Sequence, residues 1–333
     1  MIDPSLALAT RGLRKSYGSR LALDGLDLSV PAGVVYGFLG PNGAGKTTTM
    51  RVLTGLIHAD GGAVELLGRP FTRRDRRRLF DVGALVESPA FYPYLSGRDN
   101  LRALAASGAP TPVRRIDEVL EIVGLRDRAA DPVSRYSLGM KQRLGIGGAL
   151  LNDPSLLLLD EPSNGLDPAG IVAIRETLRH LASMGKTVFV SSHILAEVQQ
   201  MADVVGIIAS GRLVREAPMQ DLLSSEGVVR VRVEPAEVAT ASAVLARLTA
   251  PDRVTPSRSE PGWIAVQIRP DRTSEVNRSL AEAGIFASGL GSGNDLEELF
   301  LTLTEDTASA DPDGTFAGID PAAGRPATTE VLS

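Results

Sequence analysis

Cysteine is absent from the 333 residues, which excludes disulfides and thiolate metal sites and fits a reducing compartment. Histidine is scarce: His58, His180 and His193 are the three in the chain, too few for a histidine-rich metal centre. Aromatics make up 4% of the residues, so the core has to come mostly from Leu, Val, Ile and Ala. No apolar run approaches the roughly 20 residues of a membrane-spanning helix. The start, Met1-Ile2-Asp3-Pro4, lacks the basic-then-apolar pattern of a signal peptide. The net charge of −5 is concentrated at the end of the chain, where residues 305–333 hold six acids against one base. The remaining body is neutral, which argues against a nucleic-acid partner, since that would need a basic face.

What is present begins with Gly40-Pro41-Asn42-Gly43-Ala44-Gly45-Lys46-Thr47-Thr48, which fits G-x-x-x-x-G-K-[ST]. The run Val34–Leu39 before it reads as a buried strand, and Thr49–Thr54 after it as the start of a helix. Glycines at 40, 43 and 45 let backbone N–H groups close around phosphate oxygens, and the helix N-terminus adds unsatisfied donors. Asn42 and Thr48 belong to the same loop. Lys46 is expected to neutralise the β- and γ-phosphates and Thr47 to offer its hydroxyl to Mg²⁺.

Along the chain, strands are expected at 6–14, 21–30, 63–67 and 81–86, with a helical insertion over about 89–150. Within the insertion Ser137 is placed to N-cap a helix over 138–151. Gly145, Gly147 and Gly148 inside that helix should each cost about 1 kcal/mol unless close packing compensates. Strand and helix then alternate, which points to an α/β sheet covered on both faces. Leu156–Leu159 ends in Asp160-Glu161. That strand is expected directly beside the one before the phosphate loop, bringing Asp160 to the metal and Glu161 to the attacking water. From about 226 the pattern changes to a small α+β domain, with a last helix at 295–304. Residues 306–333 lack large apolar side chains and read as a disordered acidic tail.

Tyr136-Ser137-Leu138-Gly139-Met140-Lys141-Gln142-Arg143, Ser163-Asn164-Gly165-Leu166-Asp167 and Ser191-Ser192-His193 complete an order of motifs over about residues 5–225. In that order the chain resembles the ATP-binding subunit of an ABC transporter: a P-loop NTPase domain with a helical subdomain. The resemblance implies ATP and Mg²⁺ as ligands and ATP hydrolysis as the reaction. Tyr17 then stacks on adenine and His193 acts on the terminal phosphate. Ser137, Gly139 and Asp167 face the nucleotide of a second copy in a homodimer. It also implies a separate membrane permease and a peripheral place at the cytoplasmic face of the cell membrane. Glu87 stands where the family has glutamine, and as a carboxylate it is expected to reach Mg²⁺. With the signature S-L-G-M-K-Q-R, it resembles the subfamily handling bacitracin, daunorubicin-type drugs and lantibiotic immunity. The alternative is a soluble ABC ATPase not coupled to transport.

Overall fold

The computed structural model describes residues 5–293 apart from 73–74, 109–110, 225–227 and 258–259. The helix expected at 295–304 and the acidic tail lie outside the described residues. In order the chain forms β1 (Leu6–Tyr17), β2 (Arg20–Pro31), β3 (Val35–Leu39), α1 (Lys46–Leu53), β4 (Gly61–Leu66), β5 (Arg69–Pro70) and β6 (Val82–Leu85). Three helices follow, α2 (Gly97–Ala106), α3 (Val113–Ile122) and α4 (Leu138–Ala149). Next come β7 (Leu156–Leu159), α5 (Pro168–Ser183), β8 (Thr187–Ser192), α6 (Leu195–Met201), β9 (Val204–Ala209), β10 (Arg212–Pro218) and α7 (Met219–Ser224). The last elements are β11 (Val228–Arg232), α8 (Val238–Leu245), β12 (Val254–Pro256), β13 (Trp263–Gln267), α9 (Thr273–Glu282) and β14 (Gly289–Gly293).

The central sheet runs β10-β9-β3-β8-β7-β6 and is parallel except for β10. Every residue of β3, β7 and β8 is buried, as both-face coverage requires. Side chains alternate between two cores. Val35, Leu39, Leu157, Leu159, Val188 and Val190 join the helical side, with Leu120, Leu144, Leu178 and Val198. Tyr36, Phe38, Leu156, Leu158 and Phe189 join the other side, with Met50 and Leu53 of α1 and Leu8, Leu13 and Leu26 of the antiparallel sheet β2-β1-β4-β5. Tyr36 and Phe38 each pack on Phe189. A third cluster, with Val229, Val231, Leu245, Ile264 and Leu280, fills the antiparallel sheet β12-β13-β11-β14 and its helices.

Strand order corrects one expectation. β7 is not beside β3; β8 lies between them. Both are short, fully buried, β-branched or leucine-rich runs, so nothing in their composition orders them. The helical glycines do have packing partners. A Cβ on Gly145 would come within 3.0 Å of Pro89, on Gly147 within 3.1 Å of Val119 and on Gly148 within 3.0 Å of Leu104. Their absence lets α4 lie close on β6, α3 and α2, and that contact offsets the propensity cost.

Candidate nucleotide site

The phosphate loop leaves β3 and turns into α1. A Cβ on Gly40 would lie 2.3 Å from the Ile208 carbonyl oxygen, so the loop passes against β9 where no side chain fits. Gly45, at φ +110°, is the N-cap of α1 and provides no side-chain cap. The first helical bond is Thr49 N–H to Gly45 O at 2.9 Å, so the amides of Lys46, Thr47 and Thr48 have no helical acceptor. A ligand anion is the partner such donors suit.

Lys46 Nζ donates to the carbonyls of Gly40 at 2.8 Å and Pro41 at 3.1 Å. It also lies 3.2 Å from Glu161 Oε1. The other Glu161 oxygen is 2.7 Å from His193 Nδ1. Facing an ionised carboxylate, Nδ1 is the donor, which leaves Nε2 for another group. Glu161 thus bridges the loop lysine and the residue after β8. Its own backbone sits at φ +48°, which turns it away from the direction of β7.

Asp160 is 7% exposed and accepts from Ser191 Oγ at 2.6 Å. Ser191 Oγ in turn accepts from the Glu161 N–H at 2.9 Å. The interposed strand β8 therefore joins the Asp160 carboxylate to the Glu161 backbone. Among the described residues no lysine or arginine pairs with Asp160. A buried carboxylate without a cationic partner is costly, and this one fits a divalent ion shared with phosphate oxygens. No cluster of three or more His, Cys, Asp or Glu converges among the described residues.

Tyr17, Asn42, Gly43, Gly45, Lys46, Thr47, Thr48, Glu161 and His193 line one cleft of about 590 Å³. Gly40 adjoins it through its carbonyl on Lys46. Tyr17 is 45% exposed, and Lys15 Nζ lies 5.6 Å from its ring centroid. Glu87, at φ +67°, is paired with Arg51. Its hydrogen bond pushes the Arg51 guanidinium further up from its ordinary range. Ser137, Gly139 and Asp167 are not in the cleft. Ser137 caps α4 by accepting from Met140 N–H at 3.2 Å, and Asp167 caps α5 by accepting from Gly170 N–H at 2.9 Å. A Cβ on Gly139 would lie 3.8 Å from Gly170 Cα, so these three gather at the paired starts of α4 and α5.

Sequence reasoning missed Arg20, Arg51 and Asn164, which also line the cleft. Arg51 was findable, because it stands four residues after Thr47 on the same helical face. Ser191 was quoted within its motif, but its link to both acids follows from strand order.

The ABC transporter family model matches residues 23–164. The bacitracin transport ATP-binding protein of Bacillus licheniformis is 48% identical over 219 residues, 66% of this chain and 72% of the relative. The lantibiotic transport ATP-binding protein of Streptococcus pyogenes is 44% identical over 209 residues, 63% of this chain and 90% of the relative. The daunorubicin resistance ATP-binding protein of Streptomyces coeruleorubidus is 36% identical over 304 residues, 90% and 96% of the two chains. The structure of cbiO1 from Clostridium perfringens, part of the ABC transporter complex cbiONQ, shares the fold. Its TM-score is 0.61 at 24% identity, covering 73% of this chain and 97% of that one. Relatives of this identity, matched over most of their length, place the chain plainly: it belongs to the ATP-binding subunits of ABC transporters.

Proposed function

We propose that this ATPase drives export of a peptide antibiotic or a drug through a separate membrane permease, with two copies of the chain closing on two ATP molecules. One observation carries the catalytic part: Glu161 lies between Lys46 and His193 at the mouth of the phosphate loop. The transported class comes from the relatives, which are named for bacitracin transport, lantibiotic transport and daunorubicin resistance. Those names give no support to a soluble ATPase unconnected to transport.

In this reading Lys46 and the α1 amides hold the β- and γ-phosphates, with Gly40, Asn42, Gly43, Gly45 and Thr48 shaping the cradle, and Tyr17 stacks on the base. Thr47 and Asp160 would hold Mg²⁺, with Glu87 reaching towards it from its place on Arg51. When bound, Mg²⁺ would supply charge neutralisation for the transferred phosphoryl group. Lys46 is the cation that the phosphates take, so nucleotide binding frees Glu161 to polarise the attacking water. With Nδ1 on Glu161, His193 has Nε2 left for the terminal phosphate. Water then displaces ADP from the γ-phosphorus, giving ADP and phosphate. Ser137, Gly139 and Asp167 complete the site of the other copy.

Residues 1–225 form the ATP-binding domain in this reading and 226–305 an accessory domain. No helix among the described residues is long and apolar enough to cross a membrane, and the permease supplies the path. The subunit works as a peripheral protein at the cytoplasmic face of the cell membrane. Co-expression with its membrane subunit in a sensitive host tests the reading. Tolerance of bacitracin, a lantibiotic or daunorubicin should rise severalfold with wild type and not with Lys46→Ala. No rise for any of them, with ATPase activity intact, would remove the export assignment.

A further inference from the structure

Two arginines line the nucleotide cleft, and they differ in what holds them. Arg51 is paired with Glu87. The Arg20 side chain makes no ion pair or hydrogen bond with any described residue. It opens β2 opposite Tyr17, its register partner across the β1–β2 hairpin. Its guanidinium lies over the tip of the phosphate loop: a Cβ on Gly43 would be 3.2 Å from Nη2. The cation therefore faces a loop whose helix-start amides are also uncompensated and whose floor carries the Lys46 ammonium. An anion held between this guanidinium and the open helix-start amides would satisfy both sets of donors. The planar donor fork of arginine suits phosphate oxygens in that position.

We propose that Arg20 is a phosphate-binding residue of this site, closing on the polyphosphate from the hairpin side while Lys46 holds it from the floor. The proposal rests on the reading of the cleft as the ATP site. Arg20 stands between the Tyr17 end, which takes the base, and the Glu161–His193 end, where hydrolysis occurs. It is therefore assigned to the phosphates that ATP and ADP share. Such a contact is made equally before and during hydrolysis, so it sets KM and leaves kcat alone.

The test measures ATP and ADP binding by calorimetry, and steady-state ATPase activity, on the full chain. The proteins compared are wild type, Arg20→Ala, Arg20→Lys and Lys46→Ala. Arg20→Ala should raise Kd for both nucleotides, and KM for ATP, by about tenfold, as loss of a charge-assisted bond implies. Its kcat should stay within about twofold of wild type. Arg20→Lys should recover part of the affinity, because it keeps the charge but not the fork. Arg20 is exposed at the hairpin end, so both variants are expected to fold. Wild-type affinities in Arg20→Ala, while Lys46→Ala loses binding, would overturn the role of Arg20 alone. A fall in kcat with unchanged Kd would overturn it as well. If wild type binds no nucleotide, or Lys46→Ala binds as wild type does, the cleft reading fails and Arg20 with it.

Discussion

The phosphate loop and the Ser137–Asp167 cluster both use helix N-termini, yet they treat their donors in opposite ways. At α1 the N-cap is Gly45, which offers no side-chain acceptor. Its first amides are left open, the Lys46 side chain folds back over the loop, and Glu161, His193 and Tyr17 gather around them from other parts of the same chain. At α4 and α5 the caps are filled from within by Ser137 and Asp167. Leu138, between the signature residues, is 51% exposed. The first helix start leaves its donors to a ligand and stands beside the groups proposed for catalysis. The second is a finished surface, stable by itself, and its proposed role requires a second copy.

Altering the first region alone should give the largest effect. Glu161→Gln keeps the shape of the side chain but loses its basicity. Turnover is expected to fall about a thousandfold, in the range for a positioned general base, while equilibrium binding shows ATP still held. Normal hydrolysis by this variant would remove Glu161 from the chemistry. The second region should respond differently. Gly139 has room for a side chain, with its nearest neighbours at 3.8 Å, so packing does not require glycine there. In Gly139→Asp the new carboxylate also suits a helix N-terminus. The melting temperature and ATP binding to the isolated chain should therefore hold, while turnover drops about a hundredfold from repulsion of the facing phosphates. A variant that melts early would show that the cluster is structural after all.

The smallest functional effect is expected beneath the first region, in the strand that feeds it. Tyr36 is fully buried in β3 and donates to Glu216 Oε1 at 2.5 Å. Burial first, and then the neighbouring Glu216 charge and hydrogen bond, push its pKa well above the ordinary tyrosine value. A raised pKa of this kind adds stability that is complete below the unfolded-state value of about 10 and is lost as pH climbs beyond it. Tyr36→Phe keeps the stack on Phe189 and should cost about 2 kcal/mol near neutral pH, typical of a bond to a charged acceptor. The gap between the two proteins should narrow above about pH 10, as chemical denaturation across pH would reveal. KM for ATP should change little. An equal gap at every pH would mean that the phenol ionises as readily in the folded chain as in the unfolded one, and would overturn the raised pKa.

These regions were not equally legible in the sequence. Local chemistry was readable: the phosphate loop in its strand–helix setting, the Ser137 cap, and the acids at the end of a leucine run. Partners far apart in the chain were not. Tyr36 and Glu216 are separated by 180 residues, and neither has a sequence pattern pointing to the other. β10 was missed because its exposed edge carries Arg212, Arg215 and Glu216 among the apolar residues, so it does not read as a buried run. β14 was missed because Gly289, Gly291 and Gly293 have no strand propensity; its place comes from pairing with β11. The order β3-β8-β7 was hidden for a related reason: each strand is buried on both faces, and nothing local says which is next to which.

That order sets a dimension. Neighbouring strands lie about 4.8 Å apart, so inserting β8 holds the end of β7 roughly two spacings, about 9–10 Å, from the end of β3. Had β7 been adjacent, the Asp160 carboxylate would have started one spacing closer to the lysine on the far side of the loop. With one strand between them, Asp160 rests on a serine hydroxyl, and Lys46 on two carbonyls and the neighbouring Glu161. The width of a single β-strand is the clearance that this fold reserves for its fuel.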